Sequence, residues 1–534
     1  MTRHGHEWVA AGTALALALR LPFDFQPLYI VDEAVFALGA RAILEGGLVY
    51  RDVWDHRGPV LHYVYALVFA LFGVNDTVAV HLVTTGSLAA QTVLLYRLAS
   101  AYLPRAPAVW AAFLFAFFST FGSRHPDALG ANVEIWTNLF VLAGLSLLAL
   151  ALRSSGRWPY ALAGVCLGLA ALTKQLAYAL YPLPLLALVL GPTWGLTDRR
   201  LPPLQTTSRF LLVTLGLLAP LVGVVGYYAW RGALEDFVSL FVGYNLHYIE
   251  AFYASGASAS PTDVLARAAT GLARTARVAF SPHFTLSLYA LASVAALACV
   301  LGAVRRPLAG VEPVPAPLWF FCAWLGLIAL PTLLLGRAFP HYFVLLLPAV
   351  SVLAGWVVAR ALQACEARPL PVLVIAILLA AILLHRVDRQ VEDVLVQIRD
   401  EASPNGLQQV AQSVASRSRP DERIFVWGFQ TELYVLANRP PASRFVFVTF
   451  LTGWTPGGLP PADAGRARDR RSRELWLDDL TRHRPRLIVD GHRAHPLLKD
   501  YPLTRYPGVW RLVESDYRVV QVIEPYVIYE RVAP

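Results

Sequence analysis

Residues 29–59 read YIVDEAVFALGARAILEGGLVYRDVWDHRGP, from Tyr29 to Pro59. The stretch follows a first apolar segment, 8–22, and runs into another, 59–72. Asp32 and Glu33 stand side by side near its start, and Asp52, Asp55, His56 and Arg57 crowd its end. A link between apolar segments has no structural need for so many ionisable groups. Beside a bilayer each costs desolvation energy unless a partner or a function compensates.

The rest of the chain decides what kind of link this is. Of 534 residues, 56% are apolar and 15% charged, and the mean hydropathy is +0.51, which excludes an ordinary soluble domain. Apolar runs of roughly 15–24 residues, the length a bilayer requires, recur from Trp8 to His385. The chain is therefore expected to be a polytopic α-helical membrane protein. Its net charge of +9 comes from arginines that flank apolar runs, a sign of topology and not of nucleic-acid binding. Cys166, Cys299, Cys322 and Cys365 lie inside apolar runs without paired spacing, so neither a disulfide nor a zinc site is suggested. The first run lacks a small-residue cleavage site and reads as a retained anchor.

Eleven spans are expected, at 8–22, 77–99, 106–121, 135–152, 160–172, 176–190, 209–230, 284–304, 318–335, 342–358 and 370–385. Arginine clusters follow the second, fourth, sixth, eighth and tenth of these (Arg97 and Arg105, Arg153 and Arg157, Arg199 and Arg200, Arg305 and Arg306, Arg360 and Arg368). All five fall on the side of Arg3, His4 and His6, which the positive-inside rule makes the cytoplasm. The run 59–72 is short for a span and is expected to lie along or dip into the interface. The parity puts the loop 23–58, the interruptions 123–134, 173–175 and 336–341, and everything after 386 on the outer face of the cytoplasmic membrane.

Two domains are expected: 1–385, a transmembrane domain with its charged first outer loop at 23–58, and 386–534, an extracytoplasmic α/β domain. In the latter, 423–428 and 486–490 read as strands, 444–450 as a further strand-like apolar run, and 517–523 with 526–531 as a terminal hairpin. Residues 431–437 read as helical, and 470–482 as an amphipathic helix with Leu475, Trp476 and Leu480 on one side. A lid or an acceptor platform is the expected role.

Each candidate residue has a plain structural alternative. Asp32 and Glu33 open an amphipathic segment and suit helix-capping carboxylates as well as a general base. Asp55, His56 and Arg57 stand directly before a long apolar run, where a guanidinium matches a phosphate or serves as an interfacial anchor. Lys174 is one of two lysines, with Lys499, in an arginine-biased chain, which suggests a specific ammonium contact. Glu134 caps a helix or binds substrate, and Arg337 and His341 contact phosphate and sugar or anchor a tight turn. Such a loop beside a membrane would hold an acceptor hydroxyl and a phosphorylated leaving group together. Asp32 and Glu33 would also suit a divalent cation, although no third oxygen ligand stands at matching spacing.

The ordered set Asp32-Glu33-x-x-Phe36, Gly46-Gly47-x-x-Tyr50-x-Asp52, Asp55-His56-Arg57-Gly58-Pro59 and Leu71-Phe72-Gly73 resembles the first outer loop of GT-C fold glycosyltransferases. The group it resembles is glycosyltransferase family 39 with its bacterial relatives, similar to protein O-mannosyltransferases and the aminoarabinose transferases of lipid A. Asn132-x-Glu134, Thr173-Lys174-Gln175 and Gly336-Arg337-x-Phe339-Pro340-His341-Tyr342 also resemble bacterial members. The resemblance covers roughly 23–190 and the Arg337 region. It implies a GT-C-like fold and a membrane glycosyltransferase that takes sugar from a polyprenyl-phosphate-linked donor to a lipid, glycan or protein acceptor. It makes Asp32 the catalytic acid and puts Arg57 where the family has a donor-binding lysine, with Gly58-Pro59 replacing Pro-Pro.

A transporter or lipid flippase is the alternative. It predicts charges near span centres and inverted repeats, whereas these charges lie at span ends and the halves differ. A reporter fused after Arg386 is expected to be active only outside the cytoplasm; cytoplasmic activity there would break the eleven-span count.

Overall fold

The computed structural model describes residues 3–121, 129–246, 314–334, 339–364, 406–453 and 468–532 except 497. Short pieces at 269–270, 273, 291–299, 381, 384–385, 387–388 and 391–392 are also described. The helices of the first half are α1 (Arg3–Ala18), α2 (Val31–Leu44), α3 (Val60–Phe72), α4 (Thr77–Tyr102), α5 (Arg105–Phe121), α6 (Val133–Arg153), α7 (Trp158–Thr173), α8 (Pro182–Leu190) and α9 (Pro203–Trp230). Nine of the eleven expected spans coincide with helices. The other two, 284–304 and 370–385, fall mostly outside the described residues, as does most of 231–283. Among the described residues, Thr77–Tyr102, Val133–Arg153, Pro203–Trp230 and His341–Ala364 are long and apolar enough to cross a bilayer. The 13 residues of α3 extend about 20 Å at 1.5 Å each, short of the ~30 Å hydrocarbon core. The breaks at Lys174 and before Pro340 are present, each followed by a 3-10 turn.

The chain forms two compact units that are not consecutive in sequence. The division expected at residue 385 follows the change in hydropathy, whereas the units follow packing.

The first unit comprises Met1–Phe25, His81–Tyr227 and Arg267–Asp393. Here α6 packs along α7, and α5 packs against both α1 and the helix Leu347–Ala364. Small residues let the backbones approach, as is usual between helices in lipid. A Cβ on Gly164 of α7 would stand 2.1 Å from the Val213 carbonyl oxygen of α9, and one on Gly216 of α9 would stand 2.0 Å from that of Ala161. The end of α1 is fastened by Arg20, which is fully buried. Its Nε donates to Thr85 Oγ1 at 2.9 Å, its Nη atoms donate to the carbonyls of Ser119 and Leu129, and Asp24 lies 3.7 Å away. A buried guanidinium is tolerable only with its donors satisfied and its charge paired.

The second unit comprises Gln26–Val80, Tyr228–Ala266 and Val394–Pro534. Its four-stranded sheet has the order β1-β2-β4-β3, built from Ile424–Trp427, Leu487–Asp490, Tyr526–Arg531 and Tyr517–Ile523. β1 and β2 are parallel, paired Ile424 to Leu487 through Trp427 to Asp490, and β4 is antiparallel to both of its neighbours. β1 and β2 are buried along their whole length, as strands covered on both faces are. Trp427 stacks on Trp476 of the helix Arg468–His483 at 4.9 Å, with Tyr506 edge-on to both.

One expected element is corrected. Residues 444–450 form no strand; beyond a single bridge of Ile424 with Pro441 the segment leaves the sheet and turns into the short helix Thr449–Thr452. Its apolar side chains are spent elsewhere. The Trp54 N–H donates to the Arg444 carbonyl at 2.9 Å, and the Trp54 ring packs on Phe445 and Phe450.

Gly216→Leu is expected to lower stability by about 1–3 kcal/mol through overpacking, seen as a lower melting temperature in detergent. Gly223→Ala, on the same helix where a Cβ meets nothing within 4 Å, should leave it unchanged or raise it.

Candidate active site

The expected residues fall into two groups, one in each unit. Asp32, Glu33, Asp55, His56 and Arg57 are together in the second unit, and Glu134, Lys174 and His341 in the first. Arg337 lies outside the described residues.

The first group is arranged around Asp55. Its side chain is buried in the turn that feeds α3. Oδ1 accepts from the His56 N–H at 2.8 Å and from Arg57 Nη1 at 3.0 Å, and Oδ2 is 3.0 Å from His62 Nε2. Burial alone would raise its pKa. The Arg57 guanidinium, then His62 and His56, more than offset that and hold the carboxyl well below the usual range, so Asp55 is an anion. The other arm of Arg57, Nη2, donates to Asp32 Oδ1. One guanidinium thus bridges the carboxylates of Asp55, two residues before it, and Asp32, 25 residues before it, while its face lies 5.1 Å over the Phe36 ring.

The two adjacent acids divide. Glu33 is fully buried, and its Oε2 takes at 2.6 Å the N–H of Tyr29, the residue before the N-cap of α2. Glu33 thus takes the internal role, tying α2 to the chain just before its N-cap, Ile30. Asp32 keeps 18% of its side chain exposed, Arg57 15% and His56 23%, so these three are the parts of the cluster a ligand can reach. His56 is 3.6 Å from Asp55 through Nδ1, with its ring near Tyr244 and Phe450.

Sequence reasoning missed two supports of this cluster. His62 is a lone imidazole inside the apolar run of α3, and that isolation was the available signal. With its proton on Nε2 it donates to Asp55, while its Nδ1 is buried without a hydrogen-bond partner among the described residues. Gly39 makes room for it, since a Cβ there would stand 2.2 Å from Nδ1. Tyr50 is fully buried with φ +75°, a left-handed conformation that costs a residue with a side chain roughly 1–2 kcal/mol. Its OH donates to the Arg57 carbonyl at 2.6 Å, and its ring is walled by Tyr228 and Phe237. That fixes the backbone from which Arg57 reaches out.

The second group pairs internally. Lys174 Nζ donates to Glu134 Oε1 and lies 3.9 Å over the Tyr342 ring, and His341 Nε2 is 4.0 Å from the same carboxylate oxygen. Glu134 is fully buried, and its Oε2 has no hydrogen-bond partner among the described residues. The specific partner expected for the lysine is therefore a carboxylate of the chain itself. Among the described residues, no group of three His, Cys, Asp or Glu side chains is arranged to hold a metal ion.

Comparison with known proteins bears on fold and family. Residues 56–219 match the family model described as dolichyl-phosphate-mannose-protein mannosyltransferase. A search of curated proteins finds no match. Among solved structures, ArnT from Cupriavidus metallidurans bound to undecaprenyl phosphate is similar over 100% of this chain and 99% of its own, with a TM-score of 0.58 and 16% identity. The Archaeoglobus fulgidus oligosaccharyltransferase tethered with an acceptor peptide matches 96% of this chain and 72% of its own (TM-score 0.52, 12% identity). The same archaeon's oligosaccharyltransferase AglB, with an inhibitory peptide and a dolichol-phosphate, matches 99% and 75% (TM-score 0.52, 13% identity). The chain has the GT-C fold, and its residues 56–219 are similar to the dolichyl-phosphate-mannose-protein mannosyltransferase family.

Proposed function

We propose that this protein is a membrane glycosyltransferase that moves a sugar from a polyprenyl-phosphate carrier to an acceptor hydroxyl at the outer face of the cytoplasmic membrane. The observation that carries the proposal is the partly exposed Arg57–Asp32 ion pair, whose arginine stands directly before Gly58-Pro59 and the short apolar helix α3. It supports reading Arg57 as a phosphate ligand and Asp32 as a base beside the membrane. The fold shared with ArnT bound to undecaprenyl phosphate and AglB bound to dolichol-phosphate supports the same donor class.

The chemistry follows from the pair. Without donor, Arg57 neutralises both Asp32 and Asp55. A donor phosphate competes for the exposed guanidinium arm, while the arm on Asp55 stays anchored. Asp32 Oδ1 is thereby released beside the phosphate it has yielded to. As the acceptor oxygen bonds to the anomeric carbon, its proton passes to Asp32 and the bond from carbon to phosphate oxygen breaks. The electron pair stays on the phosphate, and Arg57 stabilises that charge as it develops. Lys174 and His341 carry no step here, because Glu134 already engages the ammonium. A divalent cation at Asp32 and Glu33 would have to displace Arg57 from Asp32 and draw Glu33 off the Tyr29 N–H. The sugar and the acceptor class are open to assay.

The deciding experiment incubates purified protein in nanodiscs with a panel of polyprenyl-phosphate sugars and follows release of polyprenyl phosphate; no release from any of them sinks the proposal. Asp32→Asn is expected to reduce turnover by about two or more orders of magnitude, while donor binding is kept or tightened because Arg57 loses its competitor. Arg57→Ala should weaken donor binding about ten- to a hundredfold, a charge-assisted contact of roughly 1.5–3 kcal/mol. Arg57→Lys should recover part of that loss, because charge survives although the planar fork does not. Parent-like donor affinity in Arg57→Ala would move the phosphate elsewhere. Chelation with EDTA should leave turnover unchanged.

A further inference from the structure

Glu432 opens the short helix Glu432–Leu436, which packs on α2 within the second unit. The residue as a whole is only partly buried, yet its carboxyl oxygen Oε2 is enclosed and has no hydrogen-bond partner among the described residues. That costs free energy in the resting protein unless something else fills the contact. The acids at the start of α2 are close enough to act on it. Burial pushes its pKa up to about 7 against the pull of its own backbone N–H, and the charges of Asp32 and Glu33 add smaller upward pushes. The Tyr526 hydroxyl at the start of β4 feels the same carboxyl.

Its place in the sheet is informative too. β1 and β2 run parallel and end together at Trp427 and Asp490, where the Gly491 N–H donates to the Trp427 carbonyl at 2.7 Å. Ligands of open α/β sheets lie beyond the carboxyl ends of such strands. The chain leaves β1 there through Gly428, Phe429, Gln430 and Thr431 to reach Glu432. The Gln430 side chain covers both terminal glycines, for a Cβ on Gly428 or Gly491 would stand 2.2 or 2.6 Å from its Oε1. The carboxyl end of β1 thus leads, through four residues, into the helix that packs on α2.

We propose that Glu432 is a further substrate-binding residue of the transfer site, contributed by the carboxyl-terminal domain, and that it holds the acceptor hydroxyl beside Asp32. The inference rests on the transferase reading above. A hydroxyl suits the position because it donates to Oε2 of the ionised carboxyl, or accepts from the protonated one.

The test uses the full chain in nanodiscs, a polyprenyl-phosphate sugar, and 1,2-octanediol as a probe acceptor competing with water. The ratio of octanediol glycoside to free sugar reports acceptor binding independently of how much donor is consumed. Glu432→Met, an apolar side chain of similar length, is expected to lower that ratio about tenfold or more, while total polyprenyl phosphate release falls less. Glu432→Gln should restore at least a third of the ratio, because an amide still bonds a hydroxyl. Folding is checked by melting temperature. Because the folded pKa is raised from 4.5 to about 7, the carboxyl's contribution is fully present below 4.5 and lost as pH rises through 7. Glu432→Gln should therefore melt higher than the parent above pH 7 and alike below 4.5. An unchanged ratio in Glu432→Met, with release intact, overturns the assignment of Glu432 alone. A parent that releases no polyprenyl phosphate overturns the transferase reading, and the assignment falls with it.

Discussion

A buried anion that must be compensated organises the region around residues 29–62. Asp55 could not remain ionised in its buried turn without the guanidinium of Arg57 and the imidazole of His62. Satisfying Asp55 fixes one arm of Arg57 and leaves the other facing Asp32. The room for His62 comes from Gly39 on α2, and the backbone carrying Arg57 is held by the Tyr50 hydroxyl. A loop that could have been a solvated link is instead over-determined, which is what preorganised chemistry requires.

The carboxyl-terminal region is part of this arrangement and not an appendage. Trp54 is clasped by the Arg444 backbone and by Phe445 and Phe450, and Arg444 is itself held at two points by Asp479, at 3.0 and 2.8 Å. Asn438 reaches both Asn75 and Arg41. Contacts of this number order the first loop and the sheet as one unit. They also explain why a run that looks like a strand, 444–450, contributes none: its apolar side chains are needed against Trp54.

The Glu134 group follows a different logic. Lys174 meets both a carboxylate and the face of Tyr342, so its charge is compensated twice at a break between apolar helices. The enclosed Oε2 of Glu134 and the neighbouring His341 keep the group polar.

Local sequence determined the helical spans, the shortness of α3, the breaks at Lys174 and Pro340, and the terminal hairpin, because each is written in apolar run length or in residue alternation over neighbouring positions. It also marked Asp32, Asp55 and Arg57 as costly enough to need an explanation. Which charges meet was beyond it. Arg57 finds Asp32 across 25 residues, Lys174 finds Glu134 across 40, and Glu432 comes to the acids of α2 from the far end of the chain. Side-chain pairing between distant segments leaves no periodicity to read; only packing decides that Glu33 is buried on the Tyr29 N–H while Asp32 stays partly exposed, that His62 rather than solvent holds Asp55, and that the helix after β1 packs on α2.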